Sequence, residues 1–189
     1  MTIAKSDILT QVRARTGRGT AISSIDTELA SVLRELSALV YGACEKTATV
    51  TISTGNNNSL PSDMQRAVSV ADSTGILLDR VKISDLLALN NADSDEGTAS
   101  KWARWGGKLY VWPTPAASTT YTVYYYYEED DVDSIGLDDV FQEALIEGVC
   151  HKVELGLGVL GAVSAEAITH KRYYDEQVQI LQSRYNDSD

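Results

Sequence analysis

The sequence predicts an α+β fold, a helical bundle of N- and C-terminal helices with a central, mostly antiparallel β insertion. Two observations carry that expectation. Residues 24–44 and 138–185 repeat apolar side chains at helical spacing, whereas residues 47–53 and 109–127 alternate at period two. Between Lys108 and Gly158 one period gives way to the other across a short acidic bridge, so strands end and a helix begins there. Neither group of amphipathic helices can bury its face alone, which predicts that the two ends of the chain pack on one another. The expected parts are residues 1–45 as N-terminal helices of the bundle, 46–133 as the β-rich insertion and 134–189 as the C-terminal helices that complete it.

Taken in order, Ser6 is placed to cap a short helix that runs through Arg15, with Ile8, Leu9 and Val12 one turn apart and Gly17 and Gly19 ending it. A longer helix follows from about Ser24 to Cys44. Its stripe is Ile25, Leu29, Val32, Leu33, Leu36, Leu39 and Val40, and Asp26 and Glu28 suit its positive N-terminal end. Thr47 to Ser53 alternates as a β-branched strand, and Gly55 to Ser59 reads as a polar loop. Between Arg66 and Ile83, two apolar runs split by Asp72 to Gly75 suggest a hairpin. Ser84 to Leu89 reads as a turn or two of helix, and Asn90 to Ser100 as an exposed loop. Trp102 and Trp105 lead through Gly106 and Gly107, the best two-residue hairpin turn in the chain, into the Leu109 to Trp112 strand. Pro113 and Pro115 stop that run and Tyr121 to Tyr127 restarts it, which reads as a second strand of a hairpin. The last third is helical. One helix runs from Asp138 or Asp139 to Leu157, with Asp139 and Gln142 as a capping box and Val140, Phe141, Ala144, Leu145, Val149 and Val153 on its stripe. After a Gly-rich break, a second runs from Ser164 to about Tyr185 with Ile168, Tyr174, Val178, Leu181 and Tyr185 facing inward.

A chain of 189 residues buries about 70% of its unfolded surface, enough for a core without a metal or disulfide staple. Sixteen Lys and Arg against 27 Asp and Glu leave a net charge of −11, which argues against a face that grips nucleic acid phosphates, since such binding needs clustered cations. The same charge fits a wall along which DNA slides. Cys44 and Cys150 lie inside apolar helical patterns and read as buried, reduced thiols of a protein made in a reducing cytoplasm. The first residues carry Lys5, Asp7, Arg13 and Arg15 and lack the apolar core of a signal peptide, and no run approaches the length of a membrane span, so a soluble protein is expected.

Enzyme readings find no support in residue types and spacing. His151 and His170 are the only histidines, on different predicted helices and without a third ligand in register, and adjacent Cys150 and His151 point about 100° apart on a helix. The Gly-rich segments match neither phosphate-loop nor dinucleotide patterns. No catalytic residue, metal ligand or cofactor site is therefore expected. Glu128, Glu129, Asp130, Asp131 and Asp133 lack calcium-loop spacing and read as a solvated linker or as an acidic channel or interface cluster, to which Asp138 and Asp139 would add. Tyr124 to Tyr127 with Tyr121, Tyr110 and Trp112 have acidic neighbours rather than the interleaved cations of a nucleic acid platform, which favours one tyrosine face in the core and one at a protein interface. Lys171, Arg172, Tyr173, Tyr174, Arg184 and Tyr185 give the last helix the residue types of interface hot spots.

LPSDM at 60–64, a Gly-Gly turn into LYVWPTP at 109–115, YTVYYYYEED at 121–130, DDVFQEALIEGVCHKVELGLG at 138–158 and a tyrosine-bearing last helix occur in that order, and in this the chain resembles the head-to-tail adaptor (head completion) proteins of tailed bacteriophages. The similarity covers about residues 24–185. It implies a virion protein made in the host cytoplasm and placed at the head-tail junction, where a ring, usually twelve-fold, docks on the portal ring and extends the DNA channel. The implied partners are the portal, other copies of the same chain and a tail or stopper protein; double-stranded DNA passes without specific binding and no membrane is involved. By position alone, residues 172–189, with Arg172, Tyr173, Arg184 and Tyr185, are the expected portal contact. A reading from another class stays open, a small β-domain module that binds carbohydrate or peptide where Trp102, Trp105 and Trp112 converge in an accessible pocket. A metal-dependent hydrolase would need the acidic run to bind a divalent ion.

Overall fold

The computed structural model describes residues 3–53, 57–92, 96–157 and 164–186, which form two compact units. One comprises residues 1–44 and 128–189, the other residues 45–127. The class is α+β, with helices at both ends of the chain and sheets between them.

The helical unit contains α1 (Lys5–Arg15), α2 (Asp26–Leu39), α4 (Gln142–Leu157) and α5 (Ala165–Tyr185). Helix α4 is central. It packs against α1, α2 and α5, so the N- and C-terminal helices do bury one another's apolar faces. The core holds Ile8 and Val12 of α1, Leu29, Val32, Leu33 and Leu36 of α2, Leu145 and Val149 of α4, and Tyr174, Val178 and Leu181 of α5. Three residues assigned to buried stripes lie outward instead: Leu39, Val140 and, most exposed at 60%, Ile168. Leu39 and Val140 stand at helix ends, whereas Ile168 lies about 100° around α5 from buried Ala167, out of phase with Tyr174, Val178 and Leu181.

The helix starts differ from expectation in two places. Ala4, not Ser6, occupies the cap of α1 and makes no side-chain cap bond. The Asp139–Gln142 capping box does not form, because Asp139–Phe141 is a 3-10 turn and the helix proper begins at Gln142. Helix α2 stops at Leu39 and is followed by a 3-10 turn at Tyr41–Ala43. The cap of α5 is Ser164, whose hydroxyl accepts the Ala167 amide at 3.0 Å. Of the expected Gly-rich break after α4, residues 158–163 lie outside the described residues, as does the tail beyond Asn186.

Ionic contacts tie the elements of this unit. Arg15 of α1 forks onto Glu143 at 2.7 and 3.0 Å and also reaches buried Glu147. Glu147 in turn contacts Nδ1 of His170 on α5 at 2.6 Å. Arg18 grips buried Glu154 through Nε and Nη2 at 2.9 and 2.7 Å. Lys5 binds both Asp26 and Asp133.

The β unit holds two sheets and a helix, α3 (Ile83–Ala92). The first sheet has the order β1–β7–β3, antiparallel throughout, from β1 (Glu45–Ile52), β7 (Thr119–Tyr127) and β3 (Met64–Ala71). The second has the order β2–β6–β5–β4, from β2 (Asn57–Ser59), β6 (Lys108–Trp112), β5 (Lys101–Trp105) and β4 (Asp79–Arg80), with β4 parallel to β5. Gly106 and Gly107 join β5 to β6 with φ of 57° and 72°, left-handed at both turn positions, which is the conformation such a hairpin needs and which side chains resist. The hairpin is the expected one.

The expected hairpin of the Leu109–Trp112 strand with the Tyr121–Tyr127 strand does not form, because β6 and β7 belong to different sheets. Pro113 and Pro115 have no amide to donate, and the chain leaving β6 pairs instead with residues 96–100, through Gly97 N to Thr114 O and Ser100 N to Trp112 O, both at 2.9 Å. Strand β7 then finds apolar partners on either side, Val50 opposite Tyr121 and Val70 opposite Val123. The Arg66–Ile83 hairpin closes only as a bridge between Ala71 and Leu77 around a turn that Asp72 organises by accepting the Thr74 and Ile76 amides; the chain then crosses to the second sheet. Residues 57–59 of the expected polar loop pair with β6, and residues 54–56 lie outside the described residues. The expected loop over 90–100 begins inside α3, and its Ala99 is buried; residues 93–95 lie outside the described residues.

Candidate partner interface

Of the residues expected at a partner contact, four lie on α5, and the helix divides them. Tyr173 is 43% exposed, and the Arg172 guanidinium lies 5.0 Å from its ring while also facing Glu176 at 3.8 Å. Arg184 is exposed over the ring of Tyr185, at 5.5 Å. Tyr185 itself is an internal pin. Its ring meets Phe141 at 5.4 Å, its hydroxyl donates to Asp138 at 3.3 Å, and its carbonyl lies against Gly42, where a side chain would have no room. Burial pushes its phenol up, and the carboxylate of Asp138 adds to this against the nearby Arg184.

At 100° per residue, Tyr173, Ile180 and Arg184 fall within about 40° of one another on the outer face of α5. Ile180 is 59% exposed, so the stripe carries an aromatic, an aliphatic and a cation in a row. Ile168, Lys171, Arg172, Asp175, Glu176 and Gln179 line a neighbouring groove of about 570 Å³ with His151 and Leu155 of α4. Ile180 was not among the sequence candidates, though its i+7 spacing from Tyr173 marks it.

The acidic run is not a bare wall. Glu129 is buried and folds its own loop, accepting the Asp131 amide at 3.1 Å and the Gly136 amide at 3.0 Å. Asp131 Oδ1 accepts the Asp133 and Ser134 amides. Glu128 and Asp130 face Arg34 at 3.5 and 3.8 Å. The carboxylates of 128–133 are thus largely spent on the loop and on neighbouring cations, which leaves exposed Asp138 and Asp139 as the freer acids beside them. Among the described residues no group of three His, Cys, Asp or Glu is arranged to hold a metal ion.

The tyrosine strand does not split into two faces. Tyr121, Tyr125, Tyr126 and Tyr127 are all buried and only Tyr124 is exposed, at 41%. Tyr125 donates to Asp63, and the Lys46 ammonium sits 3.6 Å from the centre of the Tyr127 ring. The three tryptophans do not converge either. Trp102 is in the core, while Trp105 and Trp112 lie on the other face of the hairpin, since Trp112 pairs with Lys101 and successive residues alternate. The two histidines are structural: Nδ1 of His151 lies 2.9 Å from the Ala167 carbonyl, and His170 belongs to the Glu147 cluster. No described helix is long and apolar enough to cross a membrane.

Compared with known proteins, the chain matches the family model described as SU10 adaptor protein over residues 1–189. A search of the curated proteins finds no match.

Proposed function

The chain belongs to the SU10 adaptor protein family, a family of phage head-to-tail adaptors, and on that premise we propose that it works as a structural, non-catalytic ring at the head-tail junction of the virion. The ring, a dodecamer, docks on the portal ring, extends its DNA channel and presents a surface to a tail or stopper protein, while double-stranded DNA passes through. The match of the family to the whole chain carries this reading. The outer stripe of α5 supports it, because Tyr173 and Arg184 expose hot-spot residue types beside the apolar Ile180 on a helix whose inner face is already buried. Tyr185 supports the contact indirectly, by fixing the end of that helix to Phe141 and Asp138.

The test is to mix the purified chain with the portal ring encoded beside its gene and weigh the product by native mass spectrometry. Loading of about one chain per portal subunit is the expected result. A persistent lone monomer beside an unoccupied portal would refute it.

A further inference from the structure

Charge is divided unevenly along the chain. Residues 45–127 hold seven Lys and Arg against eight Asp and Glu, while the remaining residues hold nine against nineteen, so the helical unit carries −10 of the net −11. Ion pairing is uneven as well. In the helical unit Lys5, Arg15, Arg18, Arg34, Lys152, Lys171 and Arg172 each face a carboxylate. In the β unit Lys46 faces Asp63, but no described carboxylate lies within ion-pair distance of Arg66, Arg80, Lys82, Lys101, Arg104 or Lys108. Cations thus cluster locally although the net charge argues against it, and five of these six lie on or beside the hairpin of β5 and β6.

One face of that hairpin interleaves cations with aromatic rings. The register sets Lys101 opposite Trp112, Ala103 opposite Tyr110 and Trp105 opposite Lys108. Trp105 is 61% exposed, its ring centre 6.4 Å from that of Tyr110. The Lys101 ammonium stands 5.3 Å from the Trp112 ring. A lysine thus marks each end of an aromatic row about 13 Å long, taking four strand residues at about 3.3 Å each. Arg80, Lys82 and Arg104 line a separate cleft of about 440 Å³ on the Trp102 side, where the Arg80 guanidinium lies 5.4 Å from the Trp102 ring.

We propose that this face binds single-stranded DNA without sequence preference, bases stacking on Trp105 and Tyr110 and phosphates meeting Lys101 and Lys108. Interleaved rings and cations on an open sheet are what such binding needs, since every base has a π-face and every nucleotide a charge. A duplex offers only phosphates to this row, its bases being stacked on each other. An acidic protein surface would match the lysines but would leave the exposed Trp105 without a planar partner. The proposal rests on the β unit alone and is independent of the portal-docking reading.

The test uses the full chain, a fluorescein-labelled oligothymidylate and the same sequence as duplex. Expected are a rise in anisotropy and quenching of tryptophan emission on adding the single strand, with log K falling against log salt at a slope of about −1.4 for two phosphates. Trp105→Ala should weaken binding by about 5- to 150-fold, the range that loss of one stacked base gives, and remove most of the quenching. Lys108→Glu should weaken binding and flatten the salt slope, with circular dichroism showing both variants folded. Absence of binding at low salt would overturn the proposal. So would equal affinity for the duplex without quenching, affinity unchanged in both variants, or displacement of the strand by polyglutamate as readily as by unlabelled oligothymidylate, which would mark the face as a protein-docking surface.

Discussion

Gly148 of α4 lies so close to Tyr174 of α5 that a Cβ at that position would stand 3.0 Å from the tyrosine ring and 2.8 Å from Cγ1 of Val32 on α2. Three helices meet where one of them has no side chain. Replacing a helical glycine by alanine ordinarily gains up to about 1 kcal/mol, but overpacking a filled core costs about 1–3 kcal/mol. Tyr174 and Val32 are both fully enclosed and cannot retreat, so the second effect wins. Gly148→Ala should lower stability by about 1–2 kcal/mol in urea unfolding. Gly156→Ala, near the end of the same helix with open space around it, should be neutral or stabilising by a few tenths of a kcal/mol. Equal effects from the two would contradict the packing described.

On the outer face of α5, Tyr173→Ala, Ile180→Asp and Arg184→Glu should leave the unfolding midpoint nearly unchanged, within about 0.5 kcal/mol, as exposed substitutions do. Each should weaken docking on portal rings by about tenfold or more if the stripe is a hot spot. Val178→Asp, one position inside the helix, should instead unfold or detach α5 by burying an unpaired charge. Pull-down on portal rings beside a circular dichroism melt separates the two classes.

Arg18 holds the Glu154 carboxyl below the usual glutamate range, chiefly by its hydrogen bond. A depressed folded value means that the stability from this pair is complete above the unfolded glutamate pKa, about 4.3, and is lost as pH falls through the lower folded value. Glu154→Gln should cost about 1–2 kcal/mol at neutral pH, between the values for surface and buried pairs, because Glu154 is buried while Arg18 is partly exposed and screened. The gap between parent and variant should close on acidification below pH about 4. A gap that persists there would place the cause outside the ion pair.

The Cys150 thiol is fully buried and pushed up to about 12, first by burial and then by the nearby Glu147 carboxylate. It should resist Ellman's reagent at pH 8 in the native protein and react on addition of denaturant, since only the thiolate is a nucleophile. Cys44 is equally buried, so neither thiol should react with the reagent before unfolding. One fast-reacting thiol in the native state would contradict this.

Where the sequence read correctly, one local signal decided the outcome. Period 3.6 placed α2, α4 and α5, and paired glycines placed the β5–β6 turn, because backbone chemistry at those positions admits few alternatives. Errors gathered where partners compete. Nothing local to Tyr121–Tyr127 says that β1 and β3 outbid β6 for it; that preference comes from Val50 and Val70, each more than fifty residues away in the chain. Helix stripes failed at Leu39 and Val140, which stand at helix ends, and at Ile168, which is out of phase with the buried Ala167, Tyr174, Val178 and Leu181. The buried role of Glu129 was hidden because a carboxylate that serves its own loop looks, in one dimension, like any other member of an acidic run.

The register that sets Glu45 opposite Tyr126 makes the first and last strands of the β unit neighbours in one ladder, so the chain enters and leaves that unit about 5 Å apart. Such an insertion behaves as a cassette. Its two ends lie close enough to be bridged by joining Cys44 to Glu128 through a short turn, which makes the β unit a segment that evolution or an engineer can exchange as one piece.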